Sequence, residues 1–256
     1  HERSRRQRQM CIRDSPGSVF LVEGENGPES VFEIQHSKES NGWNWGWMPQ
    51  STEGNFGVIH HGIRGYSGPV YSSGWSFNVP TQDLVDAFDA TDKRKNASVL
   101  DIVDWADANG ASYAEGYEHT GYFNNKYIPR AGYSKNTTEL NYENNYRYIR
   151  YADVLLMAAE ANNRGGISDS KAQNYLNQVR SRAGVSSINE TGSSLTQAIW
   201  DERRLEFAGE GHRFFDLVRT GQAGNEISGF VVGKHEVFPI PQTEIDISGL
   251  TQNSGY

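Results

Sequence analysis

Apolar and polar positions fall into a helical rhythm over one stretch of the chain, Asn145 to Gly221. In its first part Tyr151, Val154, Leu155, Ala158 and Asn162 lie at i, i+3, i+4, i+7 and i+11. These positions share one side of a 3.6-residue helix, apolar until its last turn. Gly165-Gly166 breaks that helix. Ala172, Tyr175, Leu176, Val179 and Ala183 then repeat the pattern. Ser168 or Asp169 is placed to cap the second helix, because a short oxygen side chain accepts from the free N–H groups of a first turn. Gly184 stands where a C-terminal glycine belongs. Two antiparallel helices joined by a short Gly/Ser/Asp turn make an αα-hairpin of about 34 residues, the length of one tetratricopeptide repeat. One such unit is visible.

A third helix follows, with Ser193 or Ser194 able to cap it. Glu202, Arg203, Arg204, Glu206, Glu210, Arg213 and Asp216 are interleaved there with Trp200, Leu205, Phe207, Phe214, Phe215, Leu217 and Val218. Arg203, Glu206, Glu210 and Arg213 lie at i, i+3, i+7 and i+10, and share a face if the helix runs unbroken through Gly209 and Gly211. Paired carboxylates suggest acid–base catalysis. The favoured reading is a structural ion network of Glu202, Arg203, Glu206, Glu210 and Arg213, in which Arg forks satisfy buried carboxylates.

Elsewhere the rhythm is weaker. Ser30, Phe32 and Ile34 alternate with Val31, Glu33 and Gln35, which suggests a short strand after the Gly27-Pro28 turn. Val79 to Arg94 reads as a helix entry that starts at Pro80-Thr81-Gln82-Asp83, with Leu84, Val85, Ala87 and Phe88 following. Asp86, Asp89 and Asp92 there lack the spacing of a calcium loop. Residues 97–144 are polar and rich in Gly, Asn and Tyr, with Tyr113, Tyr117, Tyr122 and Tyr133 open either to packing or to a binding surface. Phe238-Pro239-Ile240-Pro241 must run extended, because proline removes backbone donors, and a short turn or helix follows from Gln242 to Ile245.

Residues 36–78 carry four Trp, two Tyr and eight Gly in 43 positions. Trp43, Trp45 and Trp47 alternate with Asn44 and Gly46, so in extended backbone their indoles point the same way. Flat apolar rings suit the C–H faces of sugars, and Asn44, Asn41, Gln50 and Asn55 offer amides to hydroxyls. Tyr66, Tyr71 and Trp75 are further candidates. The opposing reading makes these rings buried anchors of a long loop. His60-His61 has no third ligand at metal-binding spacing and reads as a pair of loop histidines.

Composition narrows the function. A chain of 256 residues with net charge −8 lacks the basic face that nucleic acid needs. No run of 18 apolar residues occurs. One cysteine permits no intrachain disulfide. Hydrophobic content of 36% favours helices carrying long ordered loops over a large core. The first 15 residues differ, with five Arg against Glu2 and Asp14 and no apolar periodicity. Without them 19 basic face 30 acidic residues, a net charge of −11. A basic nucleic-acid arm is one reading. A signal peptide is excluded by the missing apolar core, and Cys11 lacks the small apolar residues of a lipidation motif. The segment is expected to be a non-native leader.

YIRYADVLLMAAEA, LNQVRSRAGV, ERRLEFAGEGHRFFDLVRTG, VFPIP and LTQNSGY occur in this order, preceded by VFEIQ and VPTQDLVDAFDATDKR. Together they resemble the C-terminal part of the SusD/RagB family, over roughly Ser18 to Tyr256. The resemblance implies a mainly α, SusD-like fold with minor short β, whose N-terminal helical-repeat portion and lipidated cysteine are missing here. It also implies a cell-surface lipoprotein of the Gram-negative outer membrane. Such a protein binds polysaccharide or oligosaccharide without catalysis and works with a SusC-like TonB-dependent transporter. Membrane attachment would come only through a lipid anchor absent from this chain. On this reading 16–256 is one domain: a loop-rich glycan-binding region 36–144, a helical core 145–221 and an extended segment 222–256. No cofactor is expected, with a structural calcium ion left open. Two alternatives stand. A carbohydrate-active hydrolase would draw on Glu202, Glu206 or Glu210, although such enzymes set two carboxylates across a cleft. A helical-repeat peptide-binding scaffold would need more than one repeat.

Overall fold

A computed structural model describes residues 16–39, 53–134 and 141–256. The chain divides into two compact units, His1–Glu210 and Gly211–Tyr256. The first unit contains β1 (Ser30–Ile34), α1 (Gly57–His60), α2 (Gln82–Ala87), α3 (Arg94–Ser98), β2 (Val99–Asp101), α4 (Ile102–Asn109), β3 (Tyr122–Asn124), β4 (Tyr146–Arg150), α5 (Tyr151–Arg164), α6 (Asp169–Ala183) and α7 (Gly192–Glu206). The second contains α8 (Arg213–Arg219), α9 (Ala223–Glu226) and α10 (Gln242–Ser248).

The expected hairpin forms as α5 and α6, and α7 packs on both. Its core is Ala152, Leu155, Leu156 and Ala159 against Ala172, Leu176, Val179, Leu195 and Ile199. The buried stripe of α5 is therefore rotated by one residue from the one read in the sequence. Val154 and Met157 face outward, and Tyr151 and Ala158 are only half-buried. The cause is size. Alanines at 152, 159 and 172 let helices approach closely, so the contact line follows the small residues. Asn162 turns its amide back to the Ala158 carbonyl at 2.8 Å. At the start of α6 the Ser168 side chain accepts from Lys171 N at 3.2 Å, and Asp169 is the first helical residue. Gly184 closes the helix at φ 81°.

The third helix differs more. α7 starts at Gly192, after Thr191, whose side chain does not cap it; the Asp169 carboxylate accepts from Gly192 N at 2.8 Å instead. Ser193 and Ser194 are already inside it. It ends at Glu206, and Gly209 and Gly211 take φ of 78° and 87° before α8 begins. A Cβ on Gly209 would lie 2.7 Å from the Asn124 amide, which itself donates to the Gly209 carbonyl. Glu210 and Arg213 therefore do not continue the helical face of Arg203 and Glu206.

Two small antiparallel sheets brace the helices. β1 pairs with β4, from Ser30↔Arg150 to Ile34↔Tyr146 across a register irregularity. β2 pairs with β3. The alternation in β1 runs opposite to hydrophobicity: Glu33 is buried, while Val31, Phe32 and Ile34 are exposed. α4 arises in the weakly periodic region. Its signals are local: the Asp101 carboxylate accepts from Val103 N and Asp104 N, and Gly110 terminates at φ 61°.

In the second unit Gln252 accepts from Ile240 N and donates to Ile240 O, both at 2.8 Å, which clamps the proline segment. α10 follows Pro241, and the Tyr256 hydroxyl donates to Val237 O.

The helix phase is directly testable. Leu156 is 0% exposed and its neighbour Met157 48%. Leu156→Ala is expected to cost about 2–5 kcal/mol, and Met157→Ala less than about 0.5 kcal/mol. Urea midpoints at unchanged m-value check both, and equal losses would refute the observed phase.

Candidate functional site

The carboxylates singled out in the sequence lie in a buried charge network. Glu206, at the C-terminus of α7, receives Arg94 Nη1 at 3.3 Å, Arg150 Nη1 at 2.9 Å and Arg182 Nη2. Glu202 receives Arg94 at 2.6 Å and Arg180 at 2.5 Å. Glu210 receives Lys126 at 2.6 Å and Arg150 at 2.7 Å. Asp92 and Glu29 complete the ring through Arg94 and Arg150. The cations Arg94, Lys126, Arg150, Arg180 and Arg182 thus match the anions Glu29, Asp92, Glu202, Glu206 and Glu210 in number.

Burial alone would raise the Glu206 pKa. The charges of Arg182, Arg150, Arg94 and Lys126 outweigh it and hold this carboxyl well below the usual value of 4.5. Glu210 is likewise raised by burial and held low by Arg150 and Lys126. A carboxylate locked in its ionised form and shielded from solvent neither gives nor takes a proton from a sugar.

The predicted partners sit elsewhere. Arg203 pairs with Asp153 at 2.6 Å on α5, and Arg213 pairs with Glu226 at 3.1 Å within the second unit. Arg94, Lys126, Arg150 and Arg182 were not singled out in the sequence, because the fold brings them together from remote positions. The one available signal was arginine at the boundary of an apolar run, as in YRYIRYADVLL.

The aromatic candidates divide. Trp43, Asn44, Trp45 and Trp47, with Asn41 and Gln50, lie outside the described residues. Tyr66 and Tyr71 are 8% and 6% exposed and belong to a core cluster with Leu100, Ile102 and Phe123. Their rings are 6.0 Å apart, Trp105 Nε1 donates to the Tyr66 hydroxyl, and Arg130 lies over the Tyr71 ring. Both are structural, which corrects their reading as surface contacts. The turn responsible has Val70 at φ 71°, with Tyr71 N donating to Pro69 O at 2.8 Å, and it swings Tyr71 inward. Asn55 is buried too, its amide donating to Asn144 O.

Trp75 is half-exposed and stands in a group with Phe56, His60 and Phe77. The His60 ring lies 4.7 Å from Phe56, 5.0 Å from Trp75 and 5.9 Å from Phe77, stacked on the last. Phe56 and Phe77 are 43% and 54% exposed. The result is an aromatic platform facing solvent.

Two chain segments build it, and backbone bonds fix their crossing. Trp75 N donates to Ile59 O, Ser76 N to Gly62 O, and Phe77 N to His60 O at 2.7 Å. The crossing needs glycine on both sides. A Cβ on Gly62 would come within 2.6 Å of Gly74 Cα, and one on Gly74 within 2.3 Å of Gly62 Cα. The neighbouring His61 is half-buried, and desolvation lowers its pKa to about 4, so it stays neutral. Phe56, His60 and Phe77 were missed as candidates. For Phe77 the signal was present, since Trp75 and Phe77 alternate as the Trp43–Trp47 run does.

A model of the SusD family matches residues 103–236. SusD-like protein P2 of Formosa agariphila is 30% identical, over 76% of this chain and 43% of that protein. A solved laminarin-binding SusD-like protein is 40% identical, with a TM-score of 0.84 over 94% of this chain and 53% of that one. Surface glycan-binding protein A from Bacteroides thetaiotaomicron, in complex with laminarihexaose, is 31% identical, with a TM-score of 0.77 over 98% of this chain and 60% of that one. The chain spans about half the length of these relatives.

Protonation should weaken the charge network. Glu206 and Glu210 have folded pKa values below their unfolded ones. Their stabilisation is complete above the unfolded value of 4.5 and is lost as pH falls through the folded values. Urea midpoints are expected to fall below about pH 4.5. Glu206→Gln, which leaves guanidinium groups uncompensated, should cost about 3–5 kcal/mol at neutral pH and flatten the acid limb. A wild-type midpoint unchanged down to about pH 3 would contradict this account.

Proposed function

This chain belongs to the SusD family, and from that premise we propose that it is a non-catalytic glycan-binding protein of a bacterial outer-membrane surface. It holds polysaccharide or oligosaccharide and passes it to a SusC-like TonB-dependent transporter. The observation that carries the binding role is the exposed platform of Phe56, His60, Trp75 and Phe77. Exposed aromatic rings on rigid backbone stack on sugar C–H faces at little entropic cost. Trp43, Trp45 and Trp47, which lie outside the described residues, enter the same reading on their alternation in sequence alone.

Laminarin is the first ligand to test, because the 40% identical structure is described as binding it. The net charge of −8 favours an uncharged glycan over a polyanionic one. No described helix is long and apolar enough to cross a membrane. The hydrolase alternative loses its carboxylates to the buried charge network. Among the described residues the peptide scaffold has one helical hairpin and no groove of stacked repeats to offer.

Native affinity electrophoresis in gels containing laminarin or an unrelated polysaccharide tests this reading. Laminarin is expected to retard the folded protein with no reducing sugar released. Phe77→Ala and Trp75→Ala should each weaken retardation by about tenfold. A folded protein that ignores laminarin and every other glycan, or that liberates sugar, overturns the proposal.

A further inference from the structure

A second exposed ring lies beside the platform, on a different loop. Tyr117 is 87% exposed and makes no ring contact or hydrogen bond among the described residues. Its loop is held against the Phe77 segment at two points. A Cβ on Gly116 would lie 2.8 Å from Ser76 Cβ, so the Ser76 side chain packs against the Gly116 backbone there. Four residues on, the Thr120 hydroxyl donates to Pro80 O at 2.7 Å. Segments 76–80 and 116–120 therefore run side by side, and Phe77 and Tyr117 each follow the first point of contact. Two Cα–Cα steps from that contact place their Cα atoms within about 13 Å of each other.

The loop is anchored upstream as well. Ser67 and Ser112 exchange backbone bonds of 2.9 Å, and Ala114 N donates to Arg64 O. Arg64 in turn donates from Nη2 to Trp75 O at 2.9 Å, and from its backbone N to Ser76 Oγ. The chain also accepts strain at both rings. Ser76 and Asn78 flank Phe77 at φ 58° and 54°, and Glu118 follows Tyr117 at φ 53°. Non-glycine residues in this region are uncommon and persist where the surrounding structure enforces them. Here the enforced outcome is two aromatic rings in solvent.

We infer that Tyr117 is a second sugar-stacking subsite, separate from the Phe56/Trp75/Phe77 platform and engaged only by a saccharide long enough to reach both. The inference rests on the glycan-binding reading above. The two rings do not touch, so one sugar residue cannot use them both as one surface. A short oligosaccharide on the platform leaves Tyr117 empty, and a longer one gains its ring. The subsite therefore makes affinity depend on chain length. Because Tyr117 is so exposed, its truncation leaves the fold intact.

Isothermal titration of the full chain with laminaritriose and with laminarihexaose tests this, using wild type, Tyr117→Ala, Tyr117→Phe and Phe77→Ala. Tyr117→Ala is expected to weaken laminarihexaose about tenfold and leave laminaritriose unchanged. Tyr117→Phe, which keeps the ring, should bind both as wild type does. Phe77→Ala should weaken both. If Phe77→Ala weakens binding and Tyr117→Ala does not, or if Tyr117→Ala weakens both lengths equally, the separate subsite is refuted while the binding function stands. If the folded wild type binds neither oligosaccharide nor laminarin, this inference fails together with its premise.

Discussion

Three guanidinium groups converge on the buried Glu206 carboxylate, and each comes from a different part of the first unit. Arg94 belongs to α3, Arg150 ends β4 and Arg182 sits in the last turn of α6. Glu206 is itself the last residue of α7, where the negative end of the helix dipole disfavours a carboxylate. Both the dipole and desolvation oppose its charge. Only close cations offset them, so α7 can end here only if α3, β4 and α6 are already in place. Arg150 extends the requirement through Glu29 to the start of β1 and through Glu210 to Lys126. The hydrophobic core of α5–α7 supplies the driving force, and the charge network selects which arrangement of elements is allowed.

The aromatic platform depends on a different kind of constraint. Its two segments cross where Gly62 and Gly74 meet, and nothing larger fits at either position. Backbone bonds from Trp75, Ser76 and Phe77 then fix the rings relative to α1. The Trp75–Phe77 side of the platform is thus a loop by secondary structure but rigid by bonding. That combination suits recognition, because rings already held in place lose little freedom when a ligand arrives.

What could be read from the sequence follows the range of the interactions involved. The α5–α6 hairpin was legible because helix periodicity, the Ser168 cap and Gly184 are all encoded within a few residues. Its rotation by one residue was not, since Ala152 and Ala159 gain their importance only from Ala172 across the interface. The strand Ser30–Ile34 was legible in position but not in facing, because Glu33 turns inward to meet Arg147. The break after Glu206 was signalled by Gly209, yet the reason for a glycine there is Asn124, 85 residues away. The family was legible because its motifs recur in order along most of the chain. The proposed binding surface was the least legible part. Tyr66, Trp75 and Phe77 are similar on paper, and only the inward turn at Val70 and the outward strain at Ser76 separate buried rings from exposed ones.

The same contrast bears on what kind of chemistry the molecule performs. In sequence, the carboxylates of ERRLEFAGE allow a catalytic reading beside the favoured ion network, and the aromatics allow either sugar contact or core. In three dimensions the carboxylates are buried among cations and the aromatics divide between core and surface. Glu202, Glu206 and Glu210 are at most 3% exposed and each is held by cations, whereas Phe77 and Tyr117 are 54% and 87% exposed. An enzyme acting on glycans needs ionisable groups at its surface, with pKa values poised between two states. This chain buries its strongly perturbed carboxylates and leaves several of its rings exposed. On the proposed reading recognition rests on ring stacking, which is largely independent of pH and salt, while stability rests on charge, which is not. Binding and folding are consequently separable: acid should dismantle the scaffold before it alters the affinity of the rings themselves.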